Sequence, residues 1–199
     1  VQMRTRVLFL WWVLGVVLGV SLGEGGARES VSTEVAKTYY LTRRVVKVIL
    51  EVSIRSLDEV HGDFGYVFSL PQDVYKRVGF VSAGPSAANS NSYRIERGPG
   101  ELDFTVKIGE VSQRERTFFL EYHLGNPYSA LPKAIRLGDN QFLVFKDQLR
   151  VDTPYAVSSE KITVQLPLGA ILERSFPTEM RLKESKLVYR VPNEPNTPN

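Results

Sequence analysis

Few side chains in this chain of 199 residues are placed to do chemistry. There is no cysteine, which excludes a disulfide scaffold, a thiolate zinc site, an iron–sulfur cluster and a cysteine nucleophile. The 2 histidines, His61 and His123, are too few for a three-histidine metal centre. His61 stands in Asp58-Glu-Val-His-Gly-Asp63, a composition that suggests cation binding or proton transfer. One imidazole among scattered carboxylates fits no ligand spacing, and His61 reads as a solvent-exposed loop histidine. His123 falls opposite Phe118, Leu120, Tyr122 and Leu124, on the exposed side of its strand. The 22 acidic residues could supply a carboxylate pair for sugar hydrolysis, but the separation that defines one is not legible in a sequence. No G-x-S-x-G elbow, phosphate-cradling loop or H-E-x-x-H is present. The expected catalytic, cofactor-binding and metal-binding residues are therefore none, and the expected cofactors none.

The elements that would carry any site are strands. Val46, Val48, Leu50, Val52 and Ile54 alternate with largely polar neighbours, which marks a long strand with one buried face. Leu102, Phe104, Val106 and Ile108 repeat the pattern, as do Phe118 to Leu124 and Ile162 to Leu166. Shorter runs at Tyr66–Leu70, Gly79–Ser82, Ser92–Glu96, Gln141–Phe145 and Leu187–Val191 add further strands. Gly98-Pro-Gly100 and Gly138-Asp-Asn140 read as turns, and Ala83–Ser92 as a polar loop tip. Pro71–Arg77 allows one or two helical turns with Pro71 at the first position. Many strands at short spacing predict an all-β fold, an antiparallel β-sandwich with short helical turns at most.

The ends differ from the middle. Arg4 and Arg6, then the apolar run Val7–Val20, then small residues, follow the order of a secretory signal peptide over residues 1–23, with cleavage as late as 27. Residues 24–34 read as a mobile lead-in, 35–191 as the β-domain, and 192–199 as a Pro/Asn-rich tail or linker. Losing Arg4 and Arg6 with the leader takes the 25 basic side chains to 23 against 22 acidic ones, and the formal charge from +3 to +1. A nucleic-acid partner has little electrostatic support at that charge.

The block Phe118–Phe145 resembles the first lumenal domain of the ribophorin I family, the alpha subunit of the eukaryotic oligosaccharyltransferase complex. The matching features are His123-Leu124, Asn126-Pro-Tyr128 with Pro132, Ile135, and the strand Gln141–Phe145. Asp152-Thr-Pro-Tyr155, Ile162–Pro167, Tyr66–Pro71, Val45–Arg55 and Leu187-Val-Tyr189 follow in register on either side. Arg190-Val191 stands where the family has Gly-Pro. The family's second lumenal domain and transmembrane helix are expected beyond this stretch.

The resemblance implies a non-catalytic subunit of the machine that transfers a preassembled oligosaccharide from dolichol diphosphate to Asn in Asn-X-Ser/Thr of nascent proteins. It implies the endoplasmic reticulum, lumenal side, as location. The implied partners are the other oligosaccharyltransferase subunits, including the catalytic one, and nascent polypeptides as a further contact. The membrane is met only through a C-terminal helix missing from this chain. Edge strands and the loop Ala83–Ser92 are the expected docking elements. The alternative reading is a secreted β-sandwich binding module unrelated to glycosylation.

Overall fold

A computed structural model describes residues 6–9, 31–42, 44–56, 60–89, 91–98, 100–111, 115–131, 142–148, 150–175 and 178–191. The strands in chain order are β1 (Arg6–Phe9), β2 (Val31–Leu41), β3 (Val45–Ser56), β4 (Val60–Ser69), β5 (Val78–Gly84), β6 (Arg94–Arg97) and β7 (Asp103–Val111). They continue with β8 (Glu115–Gly125), β9 (Tyr128–Leu131), β10 (Phe142–Phe145), β11 (Ala156–Gln165), β12 (Ile171–Arg174), β13 (Arg181–Lys183) and β14 (Lys186–Val191). A short helix, α1 (Gln72–Tyr75), lies between β4 and β5. The expected all-β class holds, and most pairings are antiparallel.

The strands form three sheets. The largest has the order β13-β14-β11-β2-β3-β8-β5; a second runs β12-β1-β10-β9, and a third β4-β7-β6. Two features depart from a purely antiparallel sandwich. β2 and β11 pair in parallel, and β1 lies parallel to both β10 and β12.

Period-two patterning decides which side of the large sheet is buried. Val46, Val48, Leu50, Val52 and Ile54 of β3 face inward with Phe118, Leu120, Tyr122 and Leu124 of β8, as their alternation predicts. Ile162 and Val164 of β11 and Leu187 of β14 join them. Both smaller sheets cover this face. Tyr66 of β4 meets Phe118 edge-on at 5.2 Å, and Phe145 of β10 meets Tyr39 of β2 at 5.4 Å. Burying a ring the size of Phe118 removes enough apolar surface from water to contribute about 2–3 kcal/mol.

Several expectations shift. The lead-in expected over 24–34 ends in strand, because β2 starts at Val31, where Val31 and Thr33 already occupy buried positions in phase with Val35. Arg6–Phe9, inside the expected leader, is the strand β1. Ala83 and Gly84 belong to buried β5 rather than to the loop after it, since Ala83 pairs with Leu120 and Gly84 with Phe119. Pro71 caps α1 one position ahead of the first helical residue. His61 lies in β4 rather than in a loop. Gly98 and Gly100 turn the chain between β6 and β7 as expected, the Gly98 amide donating to the Asp103 carbonyl at 3.0 Å. The Gly138–Asn140 turn and residues 192–199 lie outside the described residues.

Candidate functional site

The largest concentration of buried charge sits between β2, β11 and the segment after β10. Lys37 occupies an inward position of β2 and is only 4% exposed, in line with Val35 and Tyr39. Its Nζ lies 3.4 Å from Asp147 Oδ2 and donates to the Gln148 carbonyl at 3.0 Å. Tyr39 Oη donates to the same Asp147 Oδ2 at 2.5 Å, while Asp147 Oδ1 accepts from the Gln148 amide at 2.8 Å. Glu160, on β11, accepts from the Val151 amide at 2.9 Å.

Burial dominates the electrostatics of this cluster. It pushes the Tyr39 hydroxyl well above the usual tyrosine value, with Asp147 adding to the effect, so Tyr39 stays a donor. Burial likewise raises the Glu160 carboxyl above 4.5, partly offset by Lys37, the Val151 amide and Arg150. A crevice lies beside the cluster, lined by Lys37, Leu50, Phe68, Tyr122, Asp147 and Arg150 among others. Its interior of about 10 Å3 is room for one water, not for a substrate. Each polar atom described here is committed to a neighbour, and the arrangement acts as a strut that fixes Asp147, Gln148 and Val151 against the centre of the large sheet.

The outer face of that sheet carries a second polar group. Glu121 of β8 meets Lys47 Nζ at 2.7 Å and His123 Nε2 at 2.8 Å. Burial alone would raise the Glu121 carboxyl, but hydrogen bonds from Lys47 and His123 outweigh it and hold the carboxyl below 4.5. His123 is on the outer face, as its alternation with Tyr122 and Leu124 predicts, and its ring sits edge-on to exposed Phe80 at 5.6 Å. Nothing in the sequence pattern alone pointed to the Lys37–Asp147 cluster, whose parts are more than a hundred residues apart. No group of three or more His, Asp or Glu side chains gathers at cation-binding distance among the described residues.

Free strand edges and one loop are the remaining features that can meet a partner. β5 and β13 bound the large sheet, β9 and β12 the second and β4 and β6 the third. The outer edge of β4 is not free: the Ser69 amide donates to the Asp152 carbonyl at 2.8 Å, and the Val67 and Gly65 carbonyls accept from Thr153 Oγ1 at 2.8 Å and Tyr155 Oη at 2.7 Å. The loop after β5 is folded on itself: the Asn89 amide donates to the Ser86 carbonyl at 3.0 Å, and Ser92 Oγ to the Asn89 carbonyl at 3.0 Å. The Tyr93 amide returns to the Ala83 carbonyl at 2.9 Å, which ties the loop's far end back to β5.

A family model described as ribophorin I matches residues 30–197, a span that encloses β2 through β14. The chain belongs to the ribophorin I family. That family is an accessory subunit of the oligosaccharyltransferase complex of the endoplasmic reticulum. No curated protein matches this ribophorin I family member. Among solved structures it is similar to native leukotriene A4 hydrolase from Saccharomyces cerevisiae, with a TM-score of 0.42 and 11% identity over 81% of this chain and 27% of that one. A mutant M1 zinc metallopeptidase from Deinococcus radiodurans gives a TM-score of 0.36 and 11% identity over 81% of this chain and 38% of that one. The chain thus spans well under half of either protein.

Proposed function

We propose that this chain is a non-catalytic lumenal domain of an oligosaccharyltransferase alpha subunit, working by contact with other subunits, the catalytic one included. The observation that carries the reading is the ribophorin I match, which runs over the whole β body rather than over a local motif. The polar cluster supports it as well. Lys37, Tyr39 and Asp147 are spent on one another beside a crevice too small for a sugar or a peptide.

In this reading residues 1–23 direct the chain to the endoplasmic reticulum and are then removed. Removal would leave β10 and β12 as facing edges one strand apart, a position that an extended segment of a partner can fill by strand addition. The outer edge of β5 ahead of Ala83 offers a second contact, because a strand at the boundary of a sheet presents backbone groups to a partner strand.

The test is biochemical. A tagged full-length version should co-purify with the catalytic subunit from detergent-solubilised membranes. Its depletion should leave some Asn-X-Ser/Thr sites of secreted glycoproteins unoccupied. Absence of co-purification together with unchanged site occupancy would end the proposal.

A further inference from the structure

One end of the large sheet brings exposed cations together with exposed apolar side chains. Pairing register places the end of β13 (Lys183), the start of β14 (Lys186), the end of β11 (Gln165) and the end of β2 (Tyr40) side by side. The β2–β3 turn, with Arg44 and Val45, continues the row. Five neighbouring strands at about 4.8 Å spacing bring these residues within roughly 20 Å. Arg44, Lys183 and Lys186 are exposed and form no ion pair with any described residue, and Glu184 is the acidic residue between them.

Leu168 stands at the apex of this end. The Ala170 amide donates to the Pro167 carbonyl at 3.1 Å and Gly169 has φ +77, which makes Pro167–Ala170 a type II turn with Leu168 at its first central position. Leu168 is 105% exposed, so no described residue covers it, and Tyr40 and Val45 nearby are 40% and 38% exposed. The opposite end is built otherwise. There Arg55 is paired with Glu34 at 3.2 Å and Glu115 at 3.6 Å, and exposed Lys161 and Arg190 face each other with no described apolar side chain projecting beside them as Leu168 does. Val31 and Val191, where chain enters and leaves the large sheet, also lie toward that opposite end, opposite Ser56 and Glu160.

We propose that the Leu168 end is a docking surface for a lipid bilayer carrying anionic headgroups. Unpaired cations are attracted to a negative lipid surface, and a projecting aliphatic side chain partitions between the headgroups without needing a shaped pocket. A protein partner would have to supply such a pocket for Leu168. The inference rests on this geometry and not on the subunit-docking reading, so either can fail alone.

The absence of cysteine allows a local test on the full chain. Leu168→Cys, labelled with an environment-sensitive fluorophore, is titrated with vesicles of phosphatidylcholine alone or with about a third phosphatidylserine. The expected result is a blue shift at position 168 with the anionic vesicles, quenched by nitroxide-bearing lipid and absent from a Ser159→Cys control. Charge reversal by Lys183→Glu with Lys186→Glu should weaken the response at least about 30-fold, as should high salt. Lys183→Glu with Lys186→Glu leaves the apolar run 7–20 untouched, so loss of the response in that variant separates this surface from membrane affinity of the run. No shift with anionic vesicles, or an equal shift with neutral ones, overturns the proposal. A shift with soluble polyglutamate and none with vesicles also overturns it, and assigns the end to an acidic protein.

Discussion

Lys37→Met should be among the most destabilising substitutions of a polar residue in this protein. Lys37 and Asp147 are 4% and 8% exposed and 3.4 Å apart. At an effective dielectric near 20, charges at that separation attract by about 5 kcal/mol. Desolvating each ion costs several kcal/mol, so the intact pair contributes little net stability. Removing one partner is different, because it leaves Asp147 buried without its cation and Glu160 with only the weaker influence of Arg150. That costs about 3–5 kcal/mol, a large part of the 5–15 kcal/mol that typically holds a domain folded. The assay is urea unfolding followed by far-ultraviolet circular dichroism at pH 7, on wild type, Lys37→Met, Asp147→Asn and the double variant. The double variant should recover most of the loss, since the side-chain amide introduced at position 147 can still accept from Tyr39 without bringing a charge. The penalty of Lys37→Met should also shrink as pH falls through the raised Glu160 value, because Glu160 then takes up a proton and no longer needs a cation. A single-variant cost below about 1 kcal/mol, or a double-variant cost equal to the sum of the singles, would refute the reasoning.

The other predictions concern pH and one turn. Burial raises the Glu160 carboxyl above 4.5, so the folded state holds a proton that the unfolded chain has released; that stability is complete below pH 4.5 and is lost as pH rises through the raised value. Glu160→Gln should therefore flatten the fall in urea midpoint between pH 4.5 and 7. Glu121 behaves oppositely: its carboxyl is held below 4.5, so its contribution is present above pH 4.5 and lost as pH falls through the depressed value. Lys47 and His123 are each 39% exposed, and Glu121→Gln should cost less than about 1 kcal/mol at pH 7, a cost that shrinks as pH falls through the depressed value. Gly169→Ala forces a β-carbon into φ +77 and should cost about 1 kcal/mol, a drop in melting temperature of roughly 2–4 °C by calorimetry.

Legibility in the sequence followed the purity of the alternation. β3 and β8 were readable because every inward position from Val46 to Ile54 and from Phe118 to Leu124 is apolar. β2 was not, although it lies at the centre of the large sheet, because Thr33 and Lys37 occupy inward positions and break the pattern. The residue that hid the strand is the one that builds the polar cluster. Asp147 and Glu160 escaped notice for a related reason: only the fold brings Lys37 and Tyr39, Asp147 and Gln148, and Val151 with Glu160 together. The outer position of His123 was legible from parity alone, but its bond to Glu121 depends on rotamers that parity does not specify. The order of the sheet, with β2 parallel to β11, leaves no local trace in either strand.

That parallel pairing sets a timetable for synthesis. β2 is complete at Leu41, but one of its two neighbours, β11, ends at Gln165. At 5–20 residues per second, the intervening chain takes roughly ten seconds to be made. Throughout that interval the early strands can associate only among themselves, and one side of β2 presents unpaired backbone to whatever is near. A chain without cysteine has no covalent clip to hold the partial sheet while it waits. The interval is therefore when this domain is most exposed to mispairing, and when a chaperone that caps strand edges has most to offer it.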